Sequence, residues 1–411
     1  MTRTLIVGGS VGGVRTAQAL RAGGYDGEIV LAEAEAEAPY DKPPLSKGLL
    51  TGSSGADDIR LLTREQADTA GIGLRLGVRA TGLEPRGRLV SFDDGSSIGY
   101  DHLVVATGAA ARRSPWGDID GVHVVRTLAG ADALRTDLLG GGPLVVIGAG
   151  FIGAEVASTG RRLGLDVTMA DPQTLPMTRS LSTDVAGAAM AMHEAAGVRC
   201  LMGVGVTGIT GRKGQLTVTL DDGTELRAAT VVVGIGAVPN DGWLAGSGLT
   251  VENGVVCDEY CRAVGTTHVY AVGDVARWFD RARGAHVRAE HWTNAVDQAA
   301  CVAHNILRPG NLRAYEPVEF VWSDQHGWKI QVVGDTSGSA ATTLLGDPTA
   351  DRRFAALYAD GQGLLRGAVV VNWPRVMVQC RKALREGTAW SDLEPGLRAV
   401  ANAASRPETK A

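Results

Sequence analysis

The residues with the clearest chemistry in this chain are three glycines, Gly148, Gly150 and Gly153, in G-x-G-x-x-G spacing, with a lone acid, Asp171, some twenty residues on. Glycines so spaced suit a phosphate. The first permits a tight turn, the second lets backbone approach a pyrophosphate, and the third lets a helix lie close to its strand. The acid is placed to accept hydrogen bonds from an adenosine ribose and to repel a 2′-phosphate, which favours NADH over NADPH. A second clamp stands near the start as G-G-S-V-G-G, in which Gly8, Ser10 and Gly13 hold the three positions, Ser10 replaces the middle glycine, and Gly12 opens the helix. Its ribose acid is Glu33 or Glu35 in the run E-A-E-A-E. Two clamps predict two dinucleotides, one a resident redox group and the other exchanged, and FAD with NAD(P)H is the common pairing. One further acid, Asp274 in V-Y-A-V-G-D-V-A, closes a strand ahead of an expected helix, where its carboxylate meets a ribityl hydroxyl and the amides around Val275 meet the pyrophosphate.

These residues need strands and helices to hold them. Thr4 to Val7 and Leu144 to Ile147 are short apolar runs of the kind that fully buried parallel strands show, each leading into its glycine turn and a helix. The following strands are expected at Glu28 to Ala32 and Leu165 to Ala170. Residues 60 to 76 read as a helix, and Gly77 to Phe92 as paired strands and a turn. Leu226 to Val233 is a buried strand that closes on G-I-G-A-V-P-N, which contains Gly236. From about residue 316 the pattern turns to alternation (VEFVWSDQ, KIQVVGD, RFAALYAD, LLRGAVVVN), predicting an antiparallel sheet with a late helix, VMVQCRKALREG, and fraying after about 400. The fold class is therefore α/β: two Rossmann-like domains followed by a C-terminal α+β domain. Expected boundaries are 1–112 and 241–315 for the FAD domain, 113–240 for an inserted NAD domain, and 316–411 for the last.

Composition bounds the function. A chain of 411 residues, 45% hydrophobic and with 56 glycines against 15 prolines, fits a globular protein of many tight strand-to-helix turns. A net charge of −5 predicts no affinity for nucleic acid overall. No run is long enough to span a membrane, and the opening MTRTLIVGGS leads into a strand rather than a signal peptide, so a cytoplasmic protein is expected. The five cysteines contain no C-x-x-C, no metal is expected, and none precedes Cys200, which argues against thiol chemistry at a flavin.

At Pro39 to Lys47, PYDKPPLSK, with the two clamps and VYAVGDVA, the chain resembles the FAD-dependent NADH:ferredoxin reductases of cytochrome P450 and ring-hydroxylating oxygenase systems, the group of putidaredoxin reductase and rubredoxin reductase. The resemblance spans nearly the whole chain. It implies that Pro44 packs near the flavin ring and that Lys47 lies at its reactive edge, where a cation favours the anionic reduced form. It gives Ala80 a backbone contact to the adenine and Arg126 a flavin phosphate. Trp292 is brought to the pyrimidine edge, and Gly236 to the point where the chain crosses back between domains. Within the second clamp, which includes Ile152, it makes Phe151 a cover displaced by nicotinamide and places Glu155 beside the nicotinamide, where it pairs with the lysine. Trp322 is implied on the face where electrons leave. His193 is read as structural, and His291 as structural or hydrogen-bonding.

The implied chemistry is hydride in from NADH and single electrons out to a [2Fe-2S] ferredoxin, by a monomer or homodimer. An NADH oxidase or quinone reductase, and a redox-switched interaction protein like apoptosis-inducing factor, are the other readings. The late helix clusters Arg375, Arg381, Lys382 and Arg385, a basic face for an acidic ferredoxin or simply a solvated one.

Overall fold

The computed structural model describes residues 2–336, 343–348 and 352–404. The chain forms two compact units: residues 1–44, 54–111 and 237–317 make one, and 45–53, 112–236 and 318–411 the other.

The first unit is built on five parallel strands in the order Val269–Ala271, His102–Val105, Arg3–Val7, Glu28–Glu33, Ile72–Leu76. Leu5, Ile6, Leu31, Leu103 and Val104 are fully buried, as strands covered on both faces require. The helix after the first strand, Val11–Ala22, buries Val14, Ala17 and Leu20, and Trp292–Leu307 packs beside it. Two short strands, Ala109–Ala111 and Ala237–Pro239, pair antiparallel where the chain leaves this unit and returns to it. Thr107 Oγ1 donates to the Asn240 carbonyl at 2.8 Å, and Asn240 Nδ2 donates back to the Thr107 carbonyl at 2.8 Å, closing that ribbon.

The second unit holds a parallel sheet in the order Val198–Met202, Val167–Asp171, Leu144–Ile147, Thr230–Val233, Val122–His123. It also holds an antiparallel sheet in the order Phe320–Gln325, Trp328–Gly334, Leu365–Val371, Phe354–Ala359, Thr343–Leu345. The late helix runs Pro374–Glu386 and is followed by another, Trp390–Ala404. The expected fraying is thus absent as far as residue 404, and positions beyond it lie outside the described residues.

Three expectations are corrected. Residues 60–76 are not one helix: Thr63 and Gln66 form a capping box on a helix of Arg64–Thr69, Gly71 at φ +64° ends it, and Ile72–Leu76 adds the last strand beside Glu28–Glu33. No helix begins at Val275 either. Gly273 at φ +76° makes a short 3₁₀ turn, and Ala276–Asp280 then alternates buried Ala276 and Trp278 with more accessible neighbours as a strand. The helix starts at Trp292 instead. Residues 45–53, expected with the FAD domain, cluster with the second unit, because Thr159 Oγ1 donates to the Ser46 carbonyl at 2.9 Å and Lys47 pairs with Glu155.

Candidate functional site

In the first unit Gly8 sits at φ +115°, and a Cβ there would lie 2.2 Å from the Ala106 carbonyl oxygen. A Cβ on Gly13 would lie 1.9 Å from the Gly8 carbonyl oxygen, so both outer positions admit only glycine. Ser10 caps the helix in an extended conformation without spending its side chain on a capping bond, while Gly12 and Gly13 are buried in the first turn. The first-turn amides have no partner within a helix by construction and are suited to an anion.

Glu33 and Glu35 have different partners. The Glu33 carboxylate accepts from the Gly9 amide inside the glycine loop and, at 3.0 Å, from the Glu35 amide. Glu35 is instead engaged by the Tyr40 hydroxyl at 2.5 Å and the Lys42 ammonium at 3.0 Å. Gly9, Ser10, Glu33, Glu35, Tyr40 and Lys42 line a shallow surface depression. The remaining candidates of this unit are Ala80, buried at the start of Ala80–Glu84; Asp274, in its 3₁₀ turn; and Trp292, whose Nε1 donates to Asp41 at 2.8 Å. Gln298 Oε1 accepts from the Gly273 amide at 2.7 Å, and Arg288 holds the Asp274 carbonyl at 3.0 Å, which fixes the turn from the helix and loop that follow. Pro44 lies half-buried in the 3₁₀ turn Pro43–Ser46.

The second clamp repeats the first. Gly148 sits at φ +101° with a Cβ that would lie 2.4 Å from the Gly234 carbonyl oxygen, and a Cβ on Gly153 would lie 1.9 Å from that of Gly148. Asp171 accepts from the Ala149 amide and the Gln173 amide, both at 2.7 Å, the counterparts of the two Glu33 bonds. A Cβ on Gly150 would meet nothing within 4 Å, so this glycine keeps space open in front of the loop rather than relieving a clash within it. Gly236, at φ +112°, accepts from the Arg112 amide at 2.9 Å. Arg126 lies just before the helix Leu128–Leu139, which Thr127 caps. Both loops, their acids and their open helix starts fit dinucleotide phosphates and riboses.

Phe151 opens the second clamp helix, Phe151–Arg162, and packs on a cluster that includes Ala154 and Met177; Ile152 beside it is 44% exposed. One turn on, Glu155 is 2% exposed. Its Oε2 receives the Lys47 ammonium at 2.6 Å and the Ser46 hydroxyl at 2.5 Å, and its Oε1 receives the Ser323 hydroxyl at 2.5 Å. A buried carboxylate is tolerated when paired and fully hydrogen-bonded, and this one is. The residues that sequence reasoning missed here are Ser46, Ser323, Gln325 and His326. Ser46 stands inside P-P-L-S-K, and Ser323 and Gln325 alternate on one strand face, but no local pattern connects either to Glu155.

Trp322 lies on the other face of that strand, stacked on Phe320 with centroids 6.1 Å apart. Arg381, expected on the basic face, lies over the Phe320 ring at 4.8 Å and is half-buried, so it is a packing residue first. Arg375, Lys382 and Arg385 are exposed, around a Val378 that is 67% exposed. Among the described residues no cluster of His, Cys, Asp or Glu could hold a metal ion, and no helix is long and apolar enough to cross a membrane.

Residues 2–299, which carry both clamps, match the family model described as pyridine nucleotide-disulphide oxidoreductase. The chain belongs to that family. Residues 320–395 of this oxidoreductase match a second model, described as reductase C-terminal. It is 37% identical over 388 residues to the ferredoxin–NAD(+) reductase component of the anthranilate 1,2-dioxygenase system of Burkholderia cepacia, covering 93% of this chain and 94% of that one. It is 36% identical over 383 residues to rhodocoxin reductase of Rhodococcus erythropolis, covering 92% and 88%. Among solved structures, the covalent putidaredoxin reductase–putidaredoxin complex matches with a TM-score of 0.90 at 30% identity over 99% of each chain. The oxidoreductase is thus an α/β flavoprotein-type fold with two Rossmann-like domains and an antiparallel C-terminal domain.

Proposed function

We propose that this oxidoreductase is an NADH-dependent ferredoxin reductase, passing electrons from NADH through FAD to a [2Fe-2S] ferredoxin that serves a cytochrome P450 or a ring-hydroxylating oxygenase. The observation that carries the reading is the pair of like-built clamps in a chain whose cysteines all lie at or beyond Cys200. End-to-end likeness to reductase components of oxygenase systems supports it. When bound, FAD supplies the conversion of a hydride into single electrons. The chain's residues do the rest. Gly8, Ser10, Gly12, Gly13, Glu33 and Asp274 bind the FAD phosphates and sugars, with Ala80, Pro44 and Trp292 serving the same cofactor, and Arg126 takes the role of a flavin-phosphate ligand. Gly148, Gly150, Gly153 and Asp171 bind NADH, with Ile152 and Gly236 at the edge of that loop. Lys47 offsets the negative charge that hydride delivers, Glu155 orients Lys47, Phe151 covers the ring until nicotinamide arrives, and Trp322 serves the electron's way out. Glu35 orders Tyr40 and Lys42 at the rim of the adenosine depression rather than gripping the ribose.

The ferredoxin is acidic and docks on the exposed face of Pro374–Glu386. Arg375, Val378, Lys382 and Arg385 follow three-four-three spacing and share one stripe, an exposed valine among three basic residues, with Glu386 3.9 Å from Lys382 at its end. The protein is cytoplasmic, a monomer or homodimer, and binds no nucleic acid.

Steady-state turnover tests this. The purified protein is yellow and releases FAD on heating, and an added [2Fe-2S] ferredoxin stimulates NADH oxidation. Reversing Arg375, Lys382 and Arg385 to Glu raises the Michaelis constant for ferredoxin on the order of 10-fold at low salt and leaves ferricyanide reduction intact. Equal NADH turnover with and without ferredoxin would favour the oxidase reading, and release of FMN would remove the FAD assignment.

A further inference from the structure

The second unit contains a line of hydrogen bonds that ends on Glu155, and the chemistry of each group fixes which way the bonds run. Gln325 Nε2 lies 2.9 Å from Ser323 Oγ. An amide N–H can only donate, so the Ser323 proton is left for Glu155 Oε1 at 2.5 Å. Gln325 Oε1 lies 3.0 Å from His193 Nε2, and an amide oxygen can only accept, so His193 carries its proton on Nε2. His193 is fully buried, and burial lowers its pKa and keeps the ring neutral, which leaves Nδ1 a lone pair. That lone pair takes the proton of His326 Nε2 at 3.1 Å.

His326 is itself anchored. Its backbone amide donates to Ser158 Oγ at 2.8 Å, and its φ of +47° holds it in the left-handed region. Ser158 and Glu155 are three residues apart on the same clamp helix, so the line leaves that helix at one turn and returns to it at the next. It passes through the strand Phe320–Gln325 and the helix Thr183–Ala195 on the way.

We propose that Ser323, Gln325 and His193 are positioning residues: they form a one-way series of donors, fed by His326, that holds the Glu155 side chain aimed at Lys47. This deepens the proposed function and rests on Lys47 and Glu155 acting in reduction by NADH. Ser323, Gln325 and His193 are all buried, so none of their polar atoms has water to turn to if the order reverses. The charged or titratable groups facing the line are Lys47 at Glu155, and His193 with Arg161 at His326. Protonating His193 puts an N–H where His326 already offers one and breaks the line at its middle.

The test uses the FAD-loaded protein, labelled with ¹⁵N at histidine. NMR of the imidazole nitrogens is expected to show His193 as the neutral Nε2–H tautomer from pH 5 to 8, and Gln325→Leu is expected to abolish that tautomer's dominance. Stopped-flow reduction by NADH gives the second readout. Ser323→Ala lowers the limiting rate on the order of 10-fold, the scale of one hydrogen bond to a buried charge, without changing the NADH dissociation constant, and Ser323→Thr restores it. A wild-type His193 that is Nδ1–H or protonated at pH 6 overturns the proposal, as does a Ser323→Ala protein with the wild-type limiting rate. A wild-type protein that NADH does not reduce defeats the reductase reading instead, while the His193 tautomer still decides whether the line exists.

Discussion

The two clamps share a backbone and differ in what their helices carry. Each has two outer glycines that no side chain can replace and an acid that returns to the glycine loop, Glu33 to Gly9 and Asp171 to Ala149. Five residues into each helix the likeness ends. The first helix has Arg15, half-buried and bonded to Gln18 at 2.9 Å, whereas the second has Glu155, buried and bonded to Lys47, Ser46 and Ser323. Along the second helix Ser158 and Thr159 are buried as well, bonding His326 and the Ser46 carbonyl. The glycine motif specifies a grip on a dinucleotide. What is done with it depends on the face of the helix the motif starts: Arg15 and Thr16 bond within their own helix, whereas Glu155, Ser158 and Thr159 bond groups from outside theirs.

The sharpest way to break the likeness is at the glycines. Gly13→Ala and Gly153→Ala each place a methyl 1.9 Å from a carbonyl oxygen, and each should cost about 3 kcal/mol or more in denaturant unfolding. Gly150→Ala, with nothing within 4 Å of its new carbon, should leave stability near wild type and weaken NADH binding alone. If Gly150→Ala unfolds the protein as Gly153→Ala does, the middle glycine is structural and the division of labour fails.

At the acids the clamps should separate by readout. Glu33→Ala is expected to lose FAD during gel filtration, whereas Asp171→Ala keeps it but loses on the order of 1 to 3 kcal/mol of preference for NADH over NADPH, read from the ratio of kcat/KM values. Glu35→Ala should retain FAD better than Glu33→Ala.

The polar face of the second helix gives the smallest effect, in pH. Burial, with His193 and Arg161 nearby, depresses the His326 pKa from 6.5 to about 4. The folded ring is therefore neutral where the unfolded one begins to take up a proton. Its stabilisation is complete above pH 6.5 and is lost as pH falls towards 4. Since solvent reaches part of the ring, the loss should be on the order of 1 kcal/mol, measured by denaturation at pH 7 and pH 4.5. His326→Gln should flatten that difference. A variant with the wild-type pH dependence places the titration elsewhere.

What was legible in the sequence was local. Glycine spacing, an apolar run before it and an acid after it lie within some thirty residues, so both clamps could be read directly, as could the alternating strands of the last domain. Where two patterns overlapped, reading failed. The leucines and isoleucine of 61–76 suit a helical stripe, but a capping box and Gly71 divide them into a short helix and an edge strand. The helix expected after Asp274 was displaced to Trp292, because a glycine with positive φ and an alternating A-R-W-F-D intervene. The surroundings of Glu155 were beyond reach for a different reason. Ser46 is 109 residues away in sequence and Ser323 is 168, and only the folded chain brings their hydroxyls to one carboxylate.

The ribbon of Ala109–Ala111 and Ala237–Pro239 bears on how the protein is made. A ribosome finishes His102–Val105 long before Val269–Ala271, its neighbour in the sheet, has been synthesised. At roughly 5 to 20 residues per second the gap lasts on the order of ten to thirty seconds, during which that strand has an open edge. The parallel strands of 122–233 are complete within the interval, and the sheet begun first is closed after them. A nascent chain that has emerged from the ribosome as far as residues 240 to 268 would therefore carry its inserted sheet finished and its N-terminal sheet open, the state in which a chaperone has most to protect.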